Sequence, residues 1–216
     1  MALPGSLSYL RFGTGLQVLD VYLDPLCPFC AKISTSLTTN VLPLLEKGGE
    51  YDGQLSLTAR LYAQPFHYFS TFHVEALLIF GSIYPELFWS YLLEIFVNQK
   101  DFYNVPVSGM TPSSCRDKLT DLALSVLEKH GKLGKGPRSK PFGDFRDRLE
   151  VRVSPDGGTN GGNAATNDMK YLIKVGRQND VYVTPTVLLN GLKEESVSSS
   201  WGKEEWEKFL SEKIGA

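Results

Sequence analysis

Two cysteines separated by two residues, Cys27 and Cys30, stand where a strand pattern changes to a helix pattern. Residues 16–23 form a β-rich apolar run that stops at an aspartate and a proline, which predicts a buried strand ended by a turn. Apolar residues then recur at helical spacing over residues 33–45, and Pro43 is expected to kink or end this helix. The cysteine pair is therefore predicted to open a helix directly after a strand.

The rest of the pattern predicts an α/β fold interrupted by a long helical segment. Residues 55–62 alternate apolar and polar side chains, which predicts a second strand, parallel to the first because a helix connects them. Helical periodicity then continues for more than a hundred residues, before strand character returns over residues 181–189 and a closing amphipathic helix follows. We therefore expect a central mixed sheet with a helical domain inserted between its second and third strands. The predicted boundaries place the sheet in residues 1–63 and 181–216 and the inserted domain in residues 64–180.

Composition and charge exclude several classes of function. The 216 residues are 42% apolar and carry a formal net charge of -2, which is typical of an ordinary globular protein and argues against a nucleic-acid partner. The most apolar region, residues 77–97, is interrupted by glycine, proline and glutamate, so no membrane span is predicted. The first residues lack the charged start and apolar run of a secretory signal, which predicts a cytoplasmic protein. In that reducing compartment a close cysteine pair is more often catalytic or metal-binding than structural.

The position of the pair at a helix start favours redox chemistry. Unpaired N–H groups and the macrodipole at a helix N-terminus stabilise a negative charge, so the Cys27 thiol is expected to ionise readily. A thiolate attacks disulfides, and Cys30, one helical turn later, can displace the resulting mixed disulfide. A zinc site would need four ligands, and the chain offers only Cys115 and three scattered histidines besides the pair, so we predict no metal site.

A second motif accompanies the cysteine pair. Residues 183–186, Val-Thr-Pro-Thr, place Pro185 inside a strand signal, where a residue without an N–H donor needs a special reason. Together with residues 27–30, Cys-Pro-Phe-Cys, this motif resembles the thioredoxin superfamily, in particular its DsbA-like branch, over roughly residues 16–214. The resemblance implies a thioredoxin-like fold with a helical domain inserted between the second and third strands. It also implies a cis peptide bond before Pro185 and contact of this proline with the cysteine pair.

The resemblance further implies roles for the residues of both motifs. Cys27 and Cys30 are the implied catalytic residues, as attacking and resolving thiols of a thiol-disulfide oxidoreductase without a bound cofactor. Thr184 and Pro185 would offer their backbone to an extended substrate beside Cys27. The implied substrate-binding residues are Pro28, Phe29, Thr184 and Pro185. The implied partners are proteins or peptides that carry thiols or disulfides, whereas the oligomeric state and the direction of electron flow stay open.

Departures from related families keep alternatives open. Phe29 stands where DsbA has a histidine, so one stabiliser of the thiolate is absent. Pro28 and Phe29 also resemble the Cys-Pro-Tyr-Cys motif of glutaredoxins, but the residues after Pro185 lack the paired glycines that glutaredoxins use against glutathione. Kappa-class glutathione transferases and related isomerases share the inserted fold but usually carry serine at the position of Cys27. Glutathione therefore remains a candidate co-substrate, and a peptide-binding module with little redox turnover remains a second hypothesis.

Other polar residues near the pair have candidate roles. Asp20 is the preferred proton relay to the resolving thiol, because a carboxylate inside an apolar strand is costly without a partner or purpose. Asp24, beside a proline, is interpreted as a turn former. His67 and His73 are interpreted as structural histidines, and Cys115 as a spectator thiol.

The helical segment carries more aromatic side chains than one core-facing stripe needs. We therefore expect the helices over residues 72–97 to leave an apolar surface exposed as a substrate groove beside Cys27. The alternative is that these aromatic side chains fill the core of the helical domain itself.

Overall fold

The computed structural model describes residues 3–133 and 140–215. The strands are β1 (Arg11–Phe12), β2 (Gln17–Leu23), β3 (Leu55–Leu61), β4 (Thr186–Leu189) and β5 (Leu192–Lys193). They form one five-stranded sheet in the order β1-β3-β2-β4-β5. The α-helices are α1 (Pro28–Asn40), α2 (Leu42–Leu45), α3 (Ser70–Ile83), α4 (Phe88–Asn98), α5 (Pro112–Lys129), α6 (Lys140–Arg148), α7 (Thr166–Gln178) and α8 (Lys203–Lys213). Short 3-10 helices span Gly5–Leu10, Pro85–Leu87 and Gln99–Phe102.

The strand pairing confirms the predicted mixed sheet. β2 runs parallel to β3, from Gln17 opposite Leu55 to Leu23 opposite Leu61, because α1 carries the chain back between them. β4 is antiparallel to β2 on its other side, and β5 is antiparallel to β4. Helices α3 to α7 all lie between β3 and β4 in the sequence, so the fold class is the predicted one.

Two prolines decide where predicted elements end. Strand character in the sequence runs over residues 181–189, but β4 begins only at Thr186, directly after Pro185. A proline cannot donate a ladder hydrogen bond, so the preceding residues form a loop at the end of the sheet. In the first helical segment α1 ends at Asn40, and Pro43 lies in the first turn of the short α2. Pro43 therefore ends the helix, as expected.

One hydrophobic core joins the sheet to the inserted helices. Leu19, Val21 and Leu23 of β2 point into it, together with buried residues of α1, α3, α4, α5 and α8. Tyr22, on the opposite face of β2, packs in a smaller cluster with Leu188 and Val181. All seven residues of β3 are buried. Both faces of this strand are therefore covered, although its sequence alternates apolar and polar residues.

The aromatic side chains of the inserted helices fill this core. Phe80, Phe88 and Tyr91 are completely buried, and the rings of Phe80 and Tyr91 lie 4.4 Å apart between centroids. Among residues 72–97, all of which are described, Val97 is the one large apolar side chain that stays strongly exposed. The prediction of an exposed substrate groove on these two helices is therefore wrong, because their aromatic side chains are packed in the core. None of the helices within the described ranges is long and apolar enough to cross a membrane.

Candidate active site

The turn after β2 places the cysteine pair at the start of α1. Cys27 is the N-cap residue with an extended backbone, and Pro28 follows in the first turn, where a missing N–H costs nothing. No side chain of the described residues caps this helix end. Cys27 keeps 6% of its surface exposed, whereas Cys30 is completely buried. Cys27 is therefore the member of the pair that a substrate can reach.

The two thiols have opposite electrostatic environments. A hydrogen bond from the Cys30 thiol is the main cause that lowers the pKa of Cys27 to about 6, against the opposing effect of partial burial. The backbone N–H groups of Cys30 and Phe29 and the hydroxyl of Thr184 lower this pKa further. Burial raises the pKa of Cys30 well above its usual value, and its hydrogen bond to Cys27 adds to the rise. At neutral pH Cys27 is therefore mainly a thiolate and Cys30 a thiol.

The loop before β4 reaches the sulfur of Cys27. The peptide bond between Thr184 and Pro185 is cis. Sγ of Cys27 lies 3.4 Å from the carbonyl oxygen of Thr184, to which the thiol form can donate. Oγ1 of Thr184 is buried, and the Thr184 side chain is a minor cause that lowers the pKa of both cysteines. Roles in substrate binding stay predictions for Pro28, Phe29, Thr184 and Pro185.

Asp24 is the centre of a hydrogen-bond network next to the pair. It is completely buried, and its backbone N–H donates to Sγ of Cys30 over 3.3 Å. Its carboxylate accepts hydrogen bonds from the N–H groups of Leu26 (2.7 Å) and Gln64 (2.6 Å), from the hydroxyl of Ser70 (2.7 Å) and from Nδ1 of His67 (2.9 Å). These bonds tie the turn that leads into Cys27 to the segment that follows β3.

Asp20 lies outside this network. Its Oδ1 is 2.8 Å from Nε of Arg60 in a buried ion pair, and no hydrogen bond among the described residues joins Asp20 to a cysteine. Because side chains alternate along a strand, Asp20 shares its face of β2 with Tyr22, away from the core that contains Cys30. The carboxylate at the pair is therefore Asp24, not Asp20 as expected from the sequence, and proton relay through either stays a prediction.

His67, which was interpreted from the sequence as a structural histidine, lies at the site. The His67 side chain is 21% exposed, contacts Asp24 through Nδ1, and lines a cavity of about 370 Å³ together with Leu26 and Pro28. A signal for this contact existed, since residues that follow two parallel strands meet at the same edge of the sheet. Asp24 follows β2 directly, and His67 follows β3 within one loop. Contact between the two residues could therefore have been predicted from their positions after parallel strands.

Two further groups of sequence interest are enclosed by the fold. His73 is completely buried, its Nδ1 lies 2.8 Å from the carbonyl oxygen of Phe69, and burial lowers its pKa to about 4. Cys115 is also completely buried, and burial raises its pKa to about 12. Within the part of the chain that the structure describes, no three His, Cys, Asp or Glu side chains are grouped to hold a metal ion.

The exposed apolar side chains near the site come from loops and from the helix start. Asn104 joins two of these loops, because its Nδ2 donates to the carbonyl of Phe66 over 2.8 Å and its Oδ1 accepts from the N–H of Tyr68 over 3.0 Å. We name this set the apolar rim: Phe29, Phe66, Tyr68, Val105, Tyr182 and Val183, all of which are exposed. Five of its six members lie within two residues of Cys30, His67 or Thr184 in the sequence, and the sixth, Val105, follows Asn104.

No protein-family model matches the chain, and no curated protein matches its sequence. Solved structures share its fold. A candidate protein-disulfide isomerase from Pseudomonas syringae superposes with a TM-score of 0.69 at 22% identity, covering 95% of this chain and 99% of that one. BdbD from Bacillus subtilis gives 0.64 at 13% identity, covering 96% and 93%. DsbA from Mycobacterium tuberculosis gives 0.59 at 16% identity, covering 96% and 92%. The chain therefore has the fold of these DsbA-like structures, a thioredoxin-like fold with an inserted helical domain.

Proposed function

We propose that the chain is a thiol-disulfide oxidoreductase that acts through Cys27 and Cys30 on thiols or disulfides of proteins or peptides. One observation carries the proposal: Cys27 occupies the N-cap of α1 with part of its surface exposed, while Cys30, one turn later, is completely buried. The electrostatics agree with this geometry, since the pKa of Cys27 is lowered to about 6 and that of Cys30 is raised well above its usual value. Such a pair has a nucleophile that is ionised at neutral pH and a resolving thiol that is held in reserve.

The pair can reduce a disulfide in two balanced steps. The Cys27 thiolate attacks one sulfur of the substrate disulfide, which forms a mixed disulfide and expels the other sulfur as a thiolate that takes up a proton. Cys30 then loses its proton, and its thiolate attacks Sγ of Cys27, which forms the Cys27–Cys30 disulfide and releases the second substrate thiol. Two electrons pass from the pair to the substrate, and the reverse sequence oxidises a substrate dithiol. The N–H of Asp24, 3.3 Å from Sγ of Cys30, stabilises charge as it develops on that sulfur.

The lowered pKa of Cys27 bears on the direction of electron flow. A stabilised thiolate favours the reduced pair over its disulfide, which makes the pair more oxidising than one with an ordinary thiol. Phe29 supplies no charge of the kind that a histidine would supply at this position, so we propose a potential less oxidising than that of DsbA. Titration of the Cys27–Cys30 pair in a redox buffer, read by mass, measures this potential. The cytoplasmic location stays a prediction from the sequence.

The substrate class follows from the surroundings of Cys27. The apolar rim offers exposed aromatic and branched side chains on the segments that carry Cys30, His67 and Thr184, whereas Cys27 itself is nearly buried. Exposed apolar side chains of this kind favour contact with polypeptide. The carbonyl of Thr184, 3.4 Å from Sγ of Cys27, is placed to accept from the backbone N–H of an extended substrate. We therefore propose protein or peptide substrates, with glutathione as the alternative co-substrate and no bound cofactor.

Reduction of insulin disulfides by the protein with dithiothreitol tests the proposal. The wild-type protein should accelerate insulin precipitation, and Cys27→Ser should not. Reduced Cys30→Ser, freed of dithiothreitol and then mixed with insulin, should accumulate a mixed disulfide that gel mobility under non-reducing conditions reveals. If the wild-type protein binds unfolded insulin chains without any exchange, the chain is a peptide-binding module instead. If Cys27→Ser retains near-normal turnover, the assignment of the nucleophile is wrong.

A further inference from the structure

A cavity beside the cysteine pair has no role in the exchange chemistry described above. It has a volume of about 370 Å³ and is lined by Leu26, Pro28, His67, Tyr103, Val105 and Pro106. Leu26 and Pro28 are the two chain neighbours of Cys27, so the cavity opens next to the nucleophile. Tyr103 lines the same cavity as these two neighbours of the nucleophile. The cavity is at the small end of ligand pockets, which span roughly 300–1,000 Å³. It therefore suits one large side chain better than a folded segment.

The polar groups at this cavity are almost all occupied within the protein. The Tyr103 hydroxyl donates to Oε1 of Gln99 over 2.8 Å. Asn104, which also lines the cavity, uses its amide oxygen and nitrogen on the backbone of Tyr68 and Phe66. The remaining polar side chain is the imidazole of His67. An otherwise apolar pocket with one open hydrogen-bonding group selects for a matching group on its ligand.

Asp24 determines which imidazole nitrogen is open. The Asp24 carboxylate already accepts from two backbone N–H groups and the Ser70 hydroxyl, so it acts as an acceptor toward His67 as well. In the neutral imidazole, Nδ1 of His67, 2.9 Å from the carboxylate, therefore carries the N–H and donates a hydrogen bond to Asp24. Nε2 is left as an acceptor, and no hydrogen bond within residues 3–133 and 140–215 engages it.

We propose that this cavity is a substrate subsite for a tyrosine or tryptophan side chain next to the substrate cysteine, whose O–H or N–H donates to Nε2 of His67. The proposal deepens the proposed function and rests on it. The apolar walls bury the aromatic ring. Nε2 of His67 accepts a hydrogen bond from the O–H of tyrosine or the N–H of tryptophan, which would otherwise be buried without a partner. Phenylalanine gains the burial without the hydrogen bond, and alanine gains neither. Nε2 of His67 thus recognises the O–H or N–H group of the substrate ring. Asp24 fixes the tautomer of His67 that leaves Nε2 as an acceptor.

The test uses short peptides of the form Gly-Xaa-Cys-Xaa-Gly, with tyrosine, phenylalanine or alanine as Xaa and the cysteine linked by a disulfide to nitrothiobenzoate. Attack of Cys27 on the peptide sulfur expels the coloured nitrothiobenzoate anion, because it is the better leaving thiolate. Dithiobis(nitrobenzoate) releases the same anion without any peptide, so it reports the reactivity of Cys27 alone.

The expected order of rates is tyrosine over phenylalanine over alanine. Burial of the ring should separate the phenylalanine and alanine peptides by about tenfold, and one hydrogen bond should add about fivefold for tyrosine. His67→Asn retains a donor N–H toward Asp24 but removes Nε2, so the tyrosine and phenylalanine rates should become equal. Val105→Trp fills the cavity from a position that is 84% exposed, so folding is preserved and all three peptides should react alike. Val153→Trp, at an exposed position outside the cavity, is the matched control and should keep the wild-type order.

The subsite and the proposed function fail in different ways. Equal rates for the three peptides with wild-type protein that reacts with dithiobis(nitrobenzoate) would overturn the subsite and leave the redox function intact. A wild-type protein that does not react with dithiobis(nitrobenzoate) would overturn the redox function. In that case peptides with serine in place of cysteine still test the cavity by amide chemical shifts. Shifts at Tyr103 and Val105 that are larger with the tyrosine peptide than with the alanine peptide support the subsite, and identical responses to the two peptides overturn it.

Discussion

Cys27 and Cys115 lie near the starts of two different helices, and their environments are opposite. Cys27 is the N-cap of α1 with a proline next to it, and Cys115 is the fourth residue of α5, which also opens with a proline. The pKa of Cys27 is lowered to about 6, whereas burial raises the pKa of Cys115 to about 12. Proximity to a helix N-terminus therefore does not by itself produce a reactive thiolate.

Burial is the main cause that raises the pKa of Cys115, whereas the Cys30 thiol is the main cause that lowers the pKa of Cys27. What occupies each helix end is a further difference between the two thiols. In α5 the hydroxyl of Thr111 accepts from the N–H of Ser114 over 3.1 Å, so a side chain already caps the helix. In α1 no described side chain acts as a cap, and the N–H groups of the first turn lower the pKa of the Cys27 sulfur. A helix start activates a thiol when the thiol itself takes the cap position and remains in reach of solvent.

The largest expected contrast between the two regions is in activity. Cys27→Ser should reduce insulin reductase activity by more than about a thousandfold, because the nucleophile is lost. Cys115→Ala should leave the rate at the wild-type value, since its buried thiol takes no part in exchange. Loss of activity in Cys115→Ala with unchanged stability would show that the second cysteine contributes to the chemistry.

The second contrast is in the pH dependence of alkylation. Since the thiolate is the reactive form, the rate at which iodoacetamide modifies Cys27 should rise through about pH 6 and become constant above neutral pH. Cys115, with its pKa raised to about 12, should stay unmodified in the native protein. In denaturant both thiols should titrate near the ordinary cysteine value of about 8.5. Peptide mapping by mass assigns each rate, and a native midpoint near the denatured one would contradict the low pKa of Cys27.

The third contrast is in how each helix start is held in place. Asp24→Ala leaves buried donors of Leu26, Gln64 and Ser70 without an acceptor and should lower the free energy of unfolding by about 4 kcal/mol. Thr111→Ala removes one cap bond at the start of α5 and should cost about 1 kcal/mol. Urea unfolding measures both values. Equal small losses would mean that water replaces the Asp24 network at little cost.

The smallest expected effect isolates the hydroxyl of Thr184. Thr184→Val keeps the shape of the side chain but removes a group that lowers the pKa of Cys27, so this pKa should rise slightly. Cys30→Ala removes the main cause of the lowering and should raise the pKa more. The midpoint of Cys27 alkylation in each variant measures the two shifts. A larger shift in Thr184→Val than in Cys30→Ala would reverse the assigned order of causes.

Local pattern was enough to predict several parts of this molecule. The apolar run before Cys27, the helical spacing after it and the alternation over β3 depend on neighbours within a few residues, so the β-α-β unit could be predicted from periodicity. Pro185 stood out for a similar reason, because a missing N–H is visible in the sequence. The aromatic residues of α3 and α4 were harder, since an aromatic side chain can belong equally to a core or to an exposed groove.

The sequence by itself determined that Cys27 follows a strand and opens a helix, and therefore which of the two thiols could become the nucleophile. Only the tertiary structure decided that Asp24, not Asp20, lies at the pair, that His67 turns Nδ1 to Asp24, and that the carbonyl oxygen of Thr184 lies 3.4 Å from Sγ of Cys27. The physical reason is the separation along the chain of the residues that interact. Helix starts arise from contacts along a few residues, whereas a buried carboxylate takes the donors that the fold brings to it, here from residues 40 or more positions away in the chain.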